Sequence, residues 1–404
     1  MSIAISSDAP ASRGSIAWSA VLSMTLGVIV LIASEFMPVS LLTPIADTLR
    51  ITEGQAGQAI SISGVFAVLT SLFSSSLVAR HDRRTVTLFF TSLLIVSGAI
   101  VAIAPNYVIM MGGRALLGVA IGGFWSMSTA TVMRLVPRDA VPKALALLNG
   151  GNALAATIAA PLGSFLGSIV GWRGTFSVVV PLAAAAMVWQ FMSMPRMPPR
   201  SNERRTGNVF QLLRRSTVAY GMSAIFLFFT GQFALFTYLR PFLETVTGVD
   251  VTMLSLILLA IGLAGLVGTS IVGTILKSRL FTVLIAIPIA MASIAVALIV
   301  FGASPLPTAA LLGIWGLVSV PAPVAWGTWL TRTVPDDADA GGGLMVAIIQ
   351  LAITLGATVG GLLFDANGYR STFVLSAGLL CISAGMAVLA WKAAEQPVKL
   401  EGFR

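Results

Sequence analysis

Most of the chain consists of apolar runs of about 20 residues, separated by short clusters of charge, proline and glycine. Because about 20 apolar residues cross a bilayer core as one helix, the gaps between charges mark the spans. They predict helices over 17–41, 54–79, 85–104, 108–133, 144–169, 173–194, 217–240, 252–276, 280–301, 308–331, 343–364 and 372–391. Two divisions lack a charge, "APNY" at 104–107 and "GASPLPT" at 302–308. Proline and glycine there predict tight turns instead.

Composition agrees with a membrane chain. Hydrophobic residues make up 57% of it and charged residues 10%, against roughly 25% charged in soluble domains. A surface so poor in charge must face lipid. The net charge of +9 would suggest nucleic acid in a soluble protein, but its distribution argues otherwise, and no nucleic-acid partner is expected. With the N-terminus cytoplasmic, nineteen Lys and Arg fall on the inner side and only Arg50, Arg173, Arg240 and Arg370 on the outer. By the positive-inside rule both termini are cytoplasmic and the expected location is a bacterial inner membrane. The apolar run near the N-terminus is too long for a cleaved signal peptide, and no small-residue cleavage site precedes the polar loop after Leu42. One cysteine, Cys381, excludes an internal disulfide framework, and one histidine, His81, excludes a His-rich metal site. No phosphate-cradling loop of the G-x-x-x-x-G-K-[ST] type occurs. No cofactor, no metal and no enzymatic centre are expected, and a monomer is.

The segment 195–216, opening "PRMPPRSNERRTG", is basic and proline-containing and reads as a cytoplasmic linker. It divides an N-terminal six-helix bundle, 1–194, from a C-terminal one, 217–404. The halves repeat each other. "GWRGTF" at 171–176 returns as "GYRSTF" at 368–373, an offset of 197. At that offset Pro44 meets Pro241, Glu53 meets Asp250 and Thr85-Val86 meets Thr282-Val283; with one added residue "RLVPRDA" at 134–140 meets "RTVPDDA" at 332–338. Six spans per half is an even number, so both halves insert the same way up, related by a pseudo-two-fold axis along the membrane normal. The fold class expected is an all-α membrane protein of twelve helices in two pseudo-symmetric bundles.

This organisation resembles the major facilitator superfamily, and local motifs resemble its twelve-span drug:proton antiporter group. "ARHDRRTV" at 79–86 is similar to the family's loop between spans two and three, with Arg80, Arg83 and Arg84 matching, but Ala79 standing where Asp is usual and Asp82 where Gly is. That resemblance implies a gating role for Arg80, Asp82, Arg83 and Arg84. "RALLGVAIGG" at 114–123 is similar to the span-four motif that opens on an intramembrane Arg, and "APLGSFLG" at 160–167 to a degenerate span-five antiporter motif. The stretches "EFMPVSLLTPIA", "GGFWSMS", "MRLVPRDAVPKAL", "GQFALFTYLRP" and "AIIQLA" resemble, in order, bacterial purine-ribonucleoside efflux pumps of that group. The resemblance implies proton-driven export of nucleosides such as inosine and guanosine.

The residues themselves single out Glu35, a carboxylate within "LIASEFMPVSLL". A charge at the bilayer centre costs at least about 2.5–3.5 kcal/mol and marks a functional position. Glu35 and Arg114 each fall about six residues inside the outer end of a predicted span, roughly 9 Å deep at 1.5 Å per residue. Burial favours the neutral form of a carboxylate and a nearby cation the ionised form. Movement of Arg114 relative to Glu35 would therefore change its proton affinity, making Glu35 the candidate proton carrier and Arg114 its modulator. At the repeat offset Glu35-Phe36 falls on Gln232-Phe233, so the symmetry mate of the carboxylate is an amide. Phe36, Trp125, Asn149, Asn152, Gln232, Phe233, Trp326 and Gln350 are the candidate substrate contacts, because a nucleobase needs aromatic faces and amide partners. For Gln232 an interhelical hydrogen bond is an equal alternative, for Trp125 and Trp326 plain packing is an equal alternative, and Trp329 reads as an interfacial anchor. Export of drugs, sugars or other small polar molecules is the neighbouring reading. A channel is disfavoured by the absence of a filter-like segment or acidic ring, and a non-transporting sensor would not need an intramembrane acid.

Overall fold

The computed structural model describes residues 10–78, 81–198, 209–335 and 338–395. Thirteen α-helices follow one another: α1 Pro10–Leu49, α2 Glu53–Val78, α3 Arg83–Ile103, α4 Tyr107–Leu135, α5 Val141–Ser193, α6 Ser216–Phe236, α7 Leu239–Phe242, α8 Val251–Ile275, α9 Leu280–Phe301, α10 Pro305–Ser319, α11 Ala322–Thr333, α12 Ala338–Asn367 and α13 Tyr369–Glu395. They make twelve crossings in two six-helix bundles. Among the described residues ten stretches are long and apolar enough to span a membrane, one of them the 51-residue Lys143–Ser193. That stretch is two crossings, bent at Gly171 with φ 71°. The turn between α12 and α13 has Gly368 at φ 72°, 197 residues later. A side chain would strain either position, so the duplicated "GWR" and "GYR" are one glycine turn used twice. The other crossing outside the ten is α2, whose first turns carry Gln55, Gln58, Ser61 and Ser63. It packs between α4 and α12 and has less need of an apolar surface.

Several boundaries differ from the predicted ones. α1 continues eight residues beyond 41 and contains Pro38 and Pro44. The seventh crossing runs on from α6 through α7 and a π turn to Thr247. The tenth is broken into α10 and α11 around Pro321, which lacks the N–H that a continuous helix needs.

Two cores result. One gathers apolar side chains of the first six crossings, from Ala20 to Met197, together with Tyr238. The other gathers those of the last six, with Val39, Ile60 and Ala160 reaching into it. The bundles meet where α2 crosses α12 and where α5 crosses α8. These crossings are repeat mates. A Cβ on Gly64 would run into the Thr354 side chain, and one on Gly262 into Thr157; the two threonines are 197 residues apart. Hydrogen bonds between the halves run from the end of the bundle that carries Leu49 and Glu53 to the level of Glu35. Ser255 Oγ donates to Ser164 Oγ at 2.8 Å, Thr358 Oγ1 to Ser61 Oγ at 2.9 Å, and Thr52 Oγ1 to Asp365 at 2.6 Å. Arg240, 5% exposed and paired with Glu244 at 2.8 Å, donates to the Ser40 carbonyl. Pro44 explains that contact, because it removes the N–H that would have bonded Ser40 four residues back.

Candidate functional site

Proline also sets the chemistry one turn and a half earlier in α1. Pro38 leaves the Ser34 carbonyl without its helical donor, in a protein interior where every backbone polar group needs a partner. Arg114 supplies it. Its Nη1 donates to Ser34 O at 2.7 Å, Nη2 to Glu35 O at 3.1 Å and to Ser63 Oγ at 3.2 Å, and Nε to Ala59 O at 2.8 Å. The guanidinium, 1% exposed, thus ties α1, α2 and α4 together. The glycines at 118 and 122 let α4 approach α2 closely enough for this, since a Cβ on either would strike the backbone of Ser63 or Ala67.

The described hydrogen bonds of Arg114 end on main chain and a hydroxyl, not on the Glu35 carboxylate. That carboxylate is 2% exposed and receives Gln350 Nε2 at 3.3 Å. Gln350 belongs to α12, in the other bundle. The sequence expectation that the two charges form a mobile pair is therefore modified: Arg114 and Glu35 are held within one bundle, and the partner across the seam is the amide. Glu35 is also deeper than expected, 14 residues from Leu49 where α1 ends, or roughly 21 Å along the helix axis.

Around this point the repeat-related residues meet. Phe36 and Phe233, symmetry mates at the offset of 197, stack with centroids 5.6 Å apart and planes at 24°. The amide oxygens of Gln232 and Gln350 are buried without a hydrogen-bond partner. A buried acceptor left unpaired costs about 1–3 kcal/mol, so each oxygen would gain from a donor that reaches it; Gln350 lies at the seam through its bond to Glu35. Trp125 is half-buried in α4, edge-on to Phe124 at 6.2 Å. Asn152 is half-buried and Asn149 exposed, the latter donating to Leu145 O at 3.0 Å. Trp326 lies elsewhere: it is 2% exposed and packs T-shaped on Trp329 at 5.7 Å, inside the core of the last six crossings. Trp329 is fully buried and not at an interface, because Gly221 opens a slot that its ring fills.

Of the loop expected to gate, Arg80 lies outside the described residues. Asp82 caps α3 by accepting Arg84 N at 2.8 Å and also holds Met197 N at 2.8 Å. Arg84 donates to Phe191 O at 2.5 Å and covers the Phe191 ring, while buried Arg83 bonds Met197 O through its amide at 3.1 Å. These contacts anchor the loop to its own bundle. Sequence reasoning passed over Ser34, Ser40, Tyr238, Arg240 and Asp365. The signal for the first two was present: a proline four residues downstream in each case.

Twelve crossings in two like-oriented bundles, with a buried acid bonded across their seam by an amide, are the architecture of a secondary transporter. The chain belongs to the Major Facilitator Superfamily, whose sequence profile matches residues 24–340. Its relatives include the "Transcription regulatory protein OpdE" of Pseudomonas aeruginosa, 55% identical over 383 residues, which span 94% of this chain and 95% of that one. They also include the "Purine ribonucleoside efflux pump NepI" of Salmonella typhimurium, 44% identical over 367 residues, 91% of this chain and 92% of the pump. Among solved structures, the human organic anion transporter MFSD10 superposes with a TM-score of 0.65 at 16% identity, over 92% of this chain and 99% of its own. A bacterial homologue of the human lysosomal transporter Spinster superposes with 0.70 at 15% identity, over 95% and 98%. The chain is thus a multi-pass membrane protein of a transporter family with bacterial relatives, and not an enzyme.

Proposed function

We propose that this protein exports purine ribonucleosides across the bacterial inner membrane in exchange for protons, both termini lying in the cytoplasm. The observation that carries the reading is the seam at Glu35: a buried carboxylate whose partner, Gln350, sits on the opposite bundle and keeps its own amide oxygen without a donor. Rocking of the bundles parts Gln350 from Glu35, so the carboxylate's proton affinity depends on which side the transporter faces. Arg114 serves as a fixed brace of the α1 backbone that carries that carboxylate. Ring N–H groups of hypoxanthine or guanine and the ribose hydroxyls are donors of the kind Gln232 and Gln350 lack, and Phe36 and Phe233 offer a face for the base. The name of the efflux-pump relatives supports the same substrate class. On the positive-inside orientation the joined end, with Thr52 and Asp365, faces outward, so the structure is closed to the outside. The bundles 1–194 and 217–404, joined by the linker at 195–216, are the units that rock.

The name of the Pseudomonas relative, a transcription regulatory protein, favours a second reading, in which the chain binds a nucleoside-like signal without moving it. Purified protein in liposomes under an imposed pH gradient separates the two. Radiolabelled inosine or guanosine should move against its gradient, and unlabelled inosine should compete where unrelated amphiphiles do not. Binding with no flux in either direction supports the sensor; flux of other polar molecules but not nucleosides overturns the substrate class.

A further inference from the structure

The two crossings that join the bundles are repeat mates, yet their outer ends are finished differently. α8 starts with a cap of its own, Asp250 accepting Met253 N at 2.8 Å. α2 starts with a capping box, Thr52 Oγ1 accepting Gln55 N and Gln55 Oε1 accepting Thr52 N, both at 3.1 Å. Such a box leaves other first-turn N–H groups unfilled. Here the missing acceptor comes from the opposite bundle: Asp365 of α12 takes the Thr52 hydroxyl at 2.6 Å and Gly54 N at 2.9 Å. The residue that corresponds to Asp365 in the first half is Ser168, which bonds only its own helix, at Phe165 O.

Two further facts show that Asp365 is placed for α2 and not for its own helix. It lies in the last turn of α12, where no basic residue offsets it; a carboxylate is unfavourable at a helix C-terminus and favourable at an N-terminus. Gly54 is buried, and a Cβ there would collide with the Asp365 carboxylate, so the sequence of α2 leaves room for it.

We propose that Asp365 is the outer latch of the transporter: it caps α2 across the seam, and this cap is made only while the outer side is shut. The inference rests on the alternation of the two bundles and not on the identity of the substrate. Tyr238 fills the next layer inward, its hydroxyl donating to Ala357 O at 2.7 Å and its ring stacked on Phe364 at 5.3 Å. Asp365 closes the seam above that plug. Opening the outer side must break two charge-assisted bonds that the α5–α8 crossing does not have.

Accessibility measures this without any substrate. In a Cys381→Ser background, which removes the one exposed native thiol, Phe36→Cys reports on the seam. A membrane-impermeant maleimide is applied to right-side-out vesicles and, as the reverse arm, to inverted ones. Asp365→Ala should raise labelling from the Asp365 side about tenfold, equivalent to ~1.4 kcal/mol in the opening equilibrium, and slow labelling from the other side. Thr52→Val, which cuts one of the bonds from the opposite bundle, should shift labelling the same way by a smaller factor. Asp250→Ala, which removes a cap within one bundle, should lower thermal stability and leave the side preference unchanged. Wild-type labelling rates in both Asp365→Ala and Thr52→Val, with only a lower melting temperature, would overturn the latch and leave a structural cap. Should Asp365→Ala fail to fold, Thr52→Val and Asp365→Asn decide alone. A protein that carries no nucleoside still gives a reading in this experiment, so the latch and the proposed substrate fail separately.

Discussion

The claim that Arg114 is fixed in place by a proline predicts an energetic coupling between two residues on different helices. Arg114→Met removes four hydrogen bonds. Ala59 O and Glu35 O each have an N–H four residues on, at Ser63 and Val39, and keep helical donors, so each lost bond there is worth about 0.5–1.5 kcal/mol. Ser34 O has no such donor because of Pro38, and leaving it bare costs about 1–3 kcal/mol. Removing a buried guanidinium also cancels its own desolvation penalty, several kcal/mol, so the net effect of the single mutant has no secure sign. The coupling does. Pro38→Ala restores an N–H four residues beyond Ser34, and the carbonyl no longer depends on Arg114. Arg114→Met should therefore cost about 1–3 kcal/mol less in the Pro38→Ala background than in the wild type, a range typical of residues sharing a partner. The measurement is a double-mutant cycle of reversible unfolding in detergent micelles. Additivity within about 0.5 kcal/mol would refute the account of why this arginine is buried.

Glu35→Gln keeps the size of the side chain and its contact with Gln350 but cannot titrate; pH-driven flux should fall to background while nucleoside binding survives, and wild-type flux would remove Glu35 as proton carrier. Gln232→Ala should raise the nucleoside dissociation constant several-fold to tenfold, the worth of about 0.5–1.5 kcal/mol for one lost bond, and leave proton coupling intact. A fall in melting temperature with unchanged affinity would instead make Gln232 an interhelical tie. Gln350→Ala should weaken binding to a similar degree and, unlike Gln232→Ala, also loosen the coupling of flux to the gradient. Gly57→Val puts a side chain where the Tyr238 phenol sits; it should hold the outer side open, read as faster outside labelling of a seam cysteine, and a wild-type rate would mean α2 and α12 can close without that fit.

Hydropathy, charge placement and the 197-residue repeat determined on their own that the chain is a twelve-span, two-bundle membrane protein, because a bilayer leaves few solutions for apolar runs of this length. They also picked out Glu35 and Arg114, since a charge in such a run is costly enough to stand out in one dimension. The recurrence of "GWR" at 171 as "GYR" at 368 was visible too, but that both glycines turn the chain at positive φ appeared only in the fold. What the tertiary structure decided is who faces whom. Depth along a helix cannot show azimuth: the sequence put Arg114 near Glu35, and the fold decided that its hydrogen bonds go to the Ser34, Glu35 and Ala59 carbonyls while Gln350 reaches the carboxylate from 315 residues away. Sequence likewise left Trp326 open between cavity and core, and packing against Trp329 puts it in a core. Asp365 was invisible in the sequence because a carboxylate near a helix end has an ordinary local reading; only the approach of α2 from the other bundle gives it a helix N-terminus to cap.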